Sequence, residues 1–364
     1  MTTATATWVA YCRGGFEAET VADLRRLATL LETTIAVEAS PDSAIVLARG
    51  TAADLTRLEQ ARVAAPPVFA RSIFVADDAL ALPGTADGTT RADRVTPLLA
   101  AIEARREHGD GPWQSVWVEY PDTNDGKALS PLARSLLTRL ETALRTTGAI
   151  AAEASLRLHV LLTSGSRAYV GSSNDPERSA WPLGIPRLRM PGSAPSRSTQ
   201  KLAEAFAVLL DAADRAALRP GLHAVDLGAA PGGWTWQLAR RGLKVTAIDN
   251  GPLKGAIADD PLVTHLREDG LKWRPRRPAD WLVCDIVEQP LRIADLVGHW
   301  IADGATRRAI FNLKLPMKKR YDEVRRCEAR IAQIIGGAGM NHVLRVRQLY
   351  HDREEVTAFV KRVD

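Results

Sequence analysis

The 364-residue chain has no run of about 18 apolar residues, so nothing in it reads as a membrane span. Its start, Met1 to Ala10, lacks the basic stretch and apolar core of a secretory leader. Cysteine is scarce: Cys12, Cys284 and Cys327 are scattered and odd in number. That excludes a disulfide framework and a clustered zinc site, and fits a reducing cytoplasm. No motif calls for a metal, and no internal repeat or low-complexity tract is present. The charge imbalance is small, a formal +5, too little on its own to mark a nucleic-acid partner. Composition is that of an ordinary folded protein, 46% hydrophobic and 25% charged, and the length favours two or three domains.

The distribution of charge says more than its sum. Basic residues gather at Arg187, Arg189, Arg197 and Lys201, at Arg267, Lys272, Arg274, Arg276 and Arg277, and from Arg307 to Arg320. Any one such cluster is ordinarily a solvated face; three around one site are expected to contact phosphates.

Residues 1–171 alternate between strand and helix patterns and read as an α+β region. Strands are expected at Trp8–Arg13, Ala44–Ala48, Val68–Val75, Ser115–Tyr120, Leu156–Thr163 and Arg167–Gly171. Helices are expected at Phe16–Leu31, Val95–Ala104 and Leu129–Arg145. Residues 172–200 are rich in proline, serine and arginine, with five prolines between Ser172 and Ser198, and read as an extended linker. From Lys201 to Asp364 the alternation becomes regular, beginning with one helix over Leu202–Ala216. Two strands without an intervening helix, His342–Gln348 and Glu355–Val363, close it. A mostly parallel sheet finished by an antiparallel hairpin defines an α/β class of Rossmann-like methyltransferase layout.

The strongest local signal is Asp226-Leu-Gly-Ala-Ala-Pro-Gly-Gly-Trp234, placed after a strand and opening a helix. It lacks the G-x-G-x-x-G of dinucleotide folds. With a proline among the glycines and an Asp two residues before the first, it resembles the cofactor loop of S-adenosylmethionine enzymes. Asp249 ends the next strand, 23 residues after Asp226, where a carboxylate can accept both hydroxyls of a ribose. Asp269 either meets the adenine amino group or is a turn residue.

Asp285 ends the strand Trp281-Leu-Val-Cys-Asp285, at the carboxyl edge where open α/β sheets bind ligands. The residues after it are Ile-Val-Glu, not the Pro-Pro-aromatic of amino methyltransferases. Cys284 lies inside the strand and reads as core, not as the nucleophile of cytosine-carbon chemistry. A ribose hydroxyl is a very weak acid and its methylation calls for a base. Lys201 precedes the first helix of this region and Lys314 follows Phe311-Asn-Leu at the end of a strand, and a lysine can serve if burial or positive neighbours lower its pKa. Asp285 is placed to orient one amine and Glu355, opening the last strand, to hold the other.

Lys201, Asp285, Lys314 and Glu355 resemble the K-D-K-E tetrad of FtsJ-type ribose 2′-O-methyltransferases. Longer strings extend the likeness over nearly the whole chain: Tyr11-Cys-Arg-Gly-Gly-Phe-Glu17, Asp122-Thr-Asn124, Gly184-Ile-Pro-Arg-Leu188, Ala194-Pro-Ser-Arg-Ser-Thr199, Asp249-Asn-Gly-Pro252, Phe311-Asn-Leu-Lys-Leu-Pro-Met-Lys-Lys-Arg-Tyr321 and Leu349-Tyr-His-Asp-Arg-Glu-Glu355. With these the chain resembles the RlmM family of bacterial 23S rRNA cytidine 2′-O-methyltransferases. The resemblance implies a THUMP RNA-binding module in the N-terminal region, S-adenosylmethionine as cofactor, and 23S rRNA as partner. It implies a cytidine in the peptidyl-transferase region as target, met before the large subunit is assembled. It marks Lys314 as the base and places Ser198, Ala230, Pro231, Gly232, Gly233, Asp249, Asp269 and Asp285 at the cofactor. Ala230 stands where the family can carry Cys, and the choice of Glu355 over Glu354 rests on strand register alone. The chain is expected to act as a monomer with no obligatory protein partner.

Two other readings stand beside this one. One is an RNA base methyltransferase, which needs a nucleophilic Cys or an amino-group motif. The other is an RNA-binding ribosome-assembly factor that keeps the fold without catalysis.

Overall fold

A computed structural model describes residues 5–84, 92–174 and 180–363. The first four residues, and 175–179 of the expected linker, lie outside that range. The chain divides into two compact units, Met1–Pro186 and Arg187–Asp364.

The first unit runs β1 (Thr5–Tyr11), α1 (Glu17–Leu30), β2 (Ala36–Ala39), β3 (Ile45–Thr51), α2 (Ala52–Ala64), β4 (Ser72–Ala76), β5 (Leu80–Ala81), α3 (Val95–Glu107), β6 (Trp113–Glu119), α4 (Asn124–Ala128), α5 (Ser130–Thr146), β7 (Leu156–Ser164) and β8 (Arg167–Ser173). Its strands form one sheet in the order β2-β3-β1-β4-β8-β7-β6, with β5 paired to β8. β1 is an interior strand with antiparallel neighbours on both sides, and Trp8, Val9 and Ala10 are all buried, so both of its faces are covered. α5 buries Ala133, Leu136, Leu140 and Leu144, the stripe that helical spacing dictates.

Among the described residues one hydrophobic cluster of this unit gathers around Trp8 and Leu24 and another around Trp113 and Leu140. The expected strand at Val68 starts only at Ser72. The lead-in satisfies its backbone elsewhere: the Phe69 N–H donates to Asp23 on α1 at 2.9 Å. α2 was not expected; its signal is Thr51, whose hydroxyl caps the Asp54 N–H at 3.1 Å. The expected linker is partly structured. Leu183 and Ile185 are buried, and the Leu183 N–H donates to buried Glu119, which also accepts from the Tyr11 hydroxyl.

The second unit runs α6 (Ser198–Val208), α7 (Ala212–Ala216), β9 (His223–Leu227), α8 (Gly233–Ala239), β10 (Lys244–Ile248), β11 (Val263–Leu266), β12 (Trp281–Cys284), α9 (Pro290–Ala302), β13 (Arg308–Lys314), α10 (Arg320–Gly337), β14 (Asn341–Arg347) and β15 (Glu355–Val363). The helix expected over Leu202–Ala216 is two helices. Asp211 takes an extended conformation and its carboxylate accepts the Asp214 N–H at 2.8 Å, which starts a new helix.

The sheet order is β11-β10-β9-β12-β13-β15-β14. It is parallel through β13, and β15 then runs antiparallel between β13 and β14. Strand order reverses between β9 and β12, the switch point at whose carboxyl edge such sheets bind ligands. β12 is central, and Trp281, Leu282, Val283 and Cys284 are all fully buried. Helices α6 and α8 pack on the sheet through Leu202, Phe206, Trp234 and Leu238.

Candidate active site

The loop after β9 is built for close approach. Gly228 sits at φ 78°, and a Cβ there would lie 2.9 Å from Ile286 Cγ1 on the loop after β12. At Gly233 a Cβ would lie 2.2 Å from Ser198 Oγ and 2.6 Å from Ser196 Oγ. Only glycine lets the start of α6, with Ser198, reach the loop Ala230-Pro-Gly-Gly233. The Ala230 N–H donates to Asp249 Oδ2 at 2.9 Å and the Gly251 N–H to Oδ1 at 2.7 Å. Asp249 thus ties the loop to the end of β10, and each of its oxygens keeps a lone pair for a ribose hydroxyl. A glycine cradle with a carboxylate at its rim fits an adenosyl cofactor.

Asp269 is more exposed. Its Oδ1 accepts the Leu271 N–H at 3.0 Å in a local turn, and its Oδ2 lies 3.6 Å from Lys272 Nζ. These contacts shape the turn and leave the carboxylate on the surface.

The four tetrad side chains come together at the carboxyl edge. Antiparallel pairing sets Lys314, the last residue of β13, opposite Glu355, the first of β15. Lys314 Nζ donates to Asp285 Oδ1 at 2.5 Å and also to Glu355 Oε2. Lys201 Nζ, from α6, donates to the other Glu355 oxygen. Two cations and two anions thus form one chain, Lys201–Glu355–Lys314–Asp285. Glu354 instead faces Arg320 at 3.0 Å and is half exposed.

A second layer, not anticipated from sequence, lies behind these groups. Two register positions inward, on the same face of the sheet, Asn312 pairs with Thr357, and both are fully buried. Asn312 Nδ2 donates to Asp285 Oδ1 at 2.9 Å, and Thr357 Oγ1 lies 2.8 Å from Asn312 Oδ1. The same hydroxyl lies 3.1 and 3.0 Å from the two oxygens of buried Asp352. Burial first, and then the charge of Glu355, hold the Asp352 carboxyl well above the usual carboxylate range. Thr357 Oγ1 donates to Asn312 Oδ1, and the amide is left pointing its NH₂ at Asp285. Glu204, one helical turn beyond Lys201, is also buried. It accepts the Tyr350 and His351 N–H groups at 2.8 and 3.0 Å and so fixes the loop that leads into Glu355.

The charges of the tetrad correct one expectation. Burial alone lowers the Lys314 pKa, as anticipated, but Asp285 and Glu355 outweigh it and the net shift is upward from 10.5. Glu355 moves the other way: burial raises it, Lys314 and Lys201 outweigh burial, and it falls below 4.5. In this arrangement Lys314 carries its proton at neutral pH. Cys284 is fully buried, and burial pushes its thiol up to about 12, so it supplies no thiolate. The third basic cluster does not surround one site. Arg308 opens the seven-residue β13 and Lys314 closes it, roughly 20 Å apart along a strand. Arg308 stacks over Trp281 and approaches Asp214 at the opposite edge.

The fold and the site together define a Rossmann-like methyltransferase. Residues 194–352 match the FtsJ-like methyltransferase family, and residues 93–174 match the N-terminal domain of ribosomal RNA large subunit methyltransferase M. The ribosomal RNA large subunit methyltransferase M of Laribacter hongkongensis is 53% identical over 271 residues, which is 74% of this chain and 76% of that protein. Its counterpart in Methylococcus capsulatus is 46% identical over 360 residues, 97% of both chains. That of Thauera aminoaromatica is 45% identical over 96% of this chain and 94% of its own. The chain belongs to the ribosomal RNA large subunit methyltransferase M family. It is an enzyme, and its methyl donor is S-adenosylmethionine.

Proposed function

We propose that the chain methylates large-subunit rRNA at the ribose 2′-hydroxyl of a cytidine in the peptidyl-transferase region of 23S rRNA, with Lys314 as general base. The observation that carries this reading is the convergence of Lys201, Glu355, Lys314 and Asp285 at the switch-point edge, beside the glycine loop. S-adenosylmethionine supplies a methyl group activated on a cationic sulfonium, whose charge also disfavours the protonated form of a nearby lysine. Ser198, the loop Ala230–Gly233, Asp249 and Asp285 are assigned to hold it, and Asp269 to the adenine edge.

In the transfer the ribose oxygen would take the methyl group that S-adenosylmethionine supplies, with its carbon–sulfur bond breaking, and the hydroxyl proton would pass to the fraction of Lys314 that has first released its own proton to solvent. Asp285 receives Lys314 and Asn312 on one oxygen and so aims the amine. Glu355 spaces the two lysines, and Lys201 stabilises negative charge developing on the attacking oxygen. Orientation and electrostatics carry most of the acceleration, because the donor arrives activated. RNA recognition is assigned to a THUMP-type module in the first unit, with the reaction in the cytoplasm before the large subunit assembles.

Lys314→Ala tests the assignment. The variant is expected to bind 23S rRNA and S-adenosylmethionine as the native enzyme does while methyl transfer falls by about 100-fold or more. Transfer persisting at a tenth of the native rate overturns Lys314 as the base.

A further inference from the structure

Two large apolar side chains of the second unit are left almost wholly in water: Val287, 86% exposed, and Met317, 79% exposed. A lone exposed apolar residue is ordinary. These two sit on the loops that leave the adjacent parallel strands β12 and β13 directly after Asp285 and Lys314.

Both are mounted on anchored neighbours. Ile286 packs so tightly that a Cβ on Gly228 or Gly270 would come within 2.9 or 3.1 Å of it, which leaves Val287 turned outward. Leu315 is buried and its N–H donates to the Glu354 carbonyl at 2.7 Å, while Arg320 holds the Glu354 carboxylate at 3.0 Å. Residues 316–319 therefore form a short arch with both feet on Glu354, the neighbour of the tetrad glutamate. Lys319 closes the arch at φ 59° and ψ 35°, a left-handed conformation that a lysine rarely takes. Lys318 and Lys319, beside Met317, are exposed. Apolar side chains interleaved with cations suit an unpaired nucleotide, whose base offers flat faces and whose phosphates carry charge.

We propose that Val287 and Met317 grip the base of the target nucleotide next to Asp285 and Lys314, and that Lys318 and Lys319 hold its flanking phosphates. This rests on the reading that the chain methylates an RNA ribose. The test is steady-state methylation of protein-free 23S rRNA transcript with labelled S-adenosylmethionine, together with calorimetry of cofactor binding.

Val287→Ala combined with Met317→Ala is expected to raise KM for RNA about tenfold, a loss of about 1.4 kcal/mol, with kcat and cofactor affinity within about twofold of native. Met317→Leu, which keeps the apolar surface, is expected to stay near native. Val363→Ala, at the far end of β15, is expected to have no effect. A native KM in the double variant overturns the proposal, as does a parallel loss of cofactor binding. An effect confined to ribosomal particles overturns it too, since the partner is then a protein. If the native enzyme transfers no methyl to RNA, the functional reading itself falls, and this proposal with it.

Discussion

A lysine that is to accept a proton must first have lost one, and Lys314 is held by groups that resist that loss. Asp285 and Glu355 raise its pKa above 10.5 in spite of burial. Below that value the neutral fraction grows tenfold per pH unit, so kcat/KM is predicted to climb steadily from about pH 7 to about pH 9.5. A profile flat across that range contradicts Lys314 as the base. Glu355→Gln removes one of the two charges that keep the amine protonated, so its rising limb is predicted at lower pH, alongside a lower maximal rate. A pH–rate series on the two proteins reads both effects.

The relay behind Asp285 makes a separate prediction. Thr357→Val removes the hydroxyl that fixes the Asn312 amide, and kcat should fall about tenfold with KM and cofactor affinity unchanged. Thr357→Ser should restore it. A variant that loses stability and activity together, without rescue by serine, shows Thr357 to be a packing residue only. The four tetrad residues were legible because each is a charge beside an apolar element. Asn312, Thr357 and Asp352 were not, because a polar residue inside an apolar strand acquires meaning only when its register partner is known.

Among the elements, the glycine loop was read from its spacing alone, but the reason for Gly233 was not. It is the approach of α6, which crosses no short sequence interval. Gly233→Ala sets a methyl group against Ser198, Ser196 and the Thr199 N–H. Overpacking of this kind costs roughly 1–3 kcal/mol, so the dissociation constant for S-adenosylmethionine should rise about tenfold by calorimetry. An unchanged constant would separate Ser198 and this loop from the cofactor. The break between α6 and α7 escaped the periodicity because Leu209 and Leu210 are buried at the junction and keep the apolar pattern going. The cap at Asp211 was the readable sign.

For the whole molecule, the regular β/α alternation of the second unit gave its layout, since parallel strands and crossover helices follow each other in the chain. The first unit was harder. Its sheet order interleaves strands from its two ends, with β4 next to β8, and the hydrophobic clusters around Trp8 and Trp113 leave a pattern that looks like two modules. No helix among the described residues is long and apolar enough to cross a membrane. The central claim is that the tetrad methylates a ribose oxygen of 23S rRNA. Its most direct test is incubation with unmodified 23S rRNA and labelled S-adenosylmethionine, nuclease digestion, and mass analysis of the labelled nucleoside. The account predicts a single 2′-O-methylcytidine. A nucleoside carrying its label on the base would contradict it.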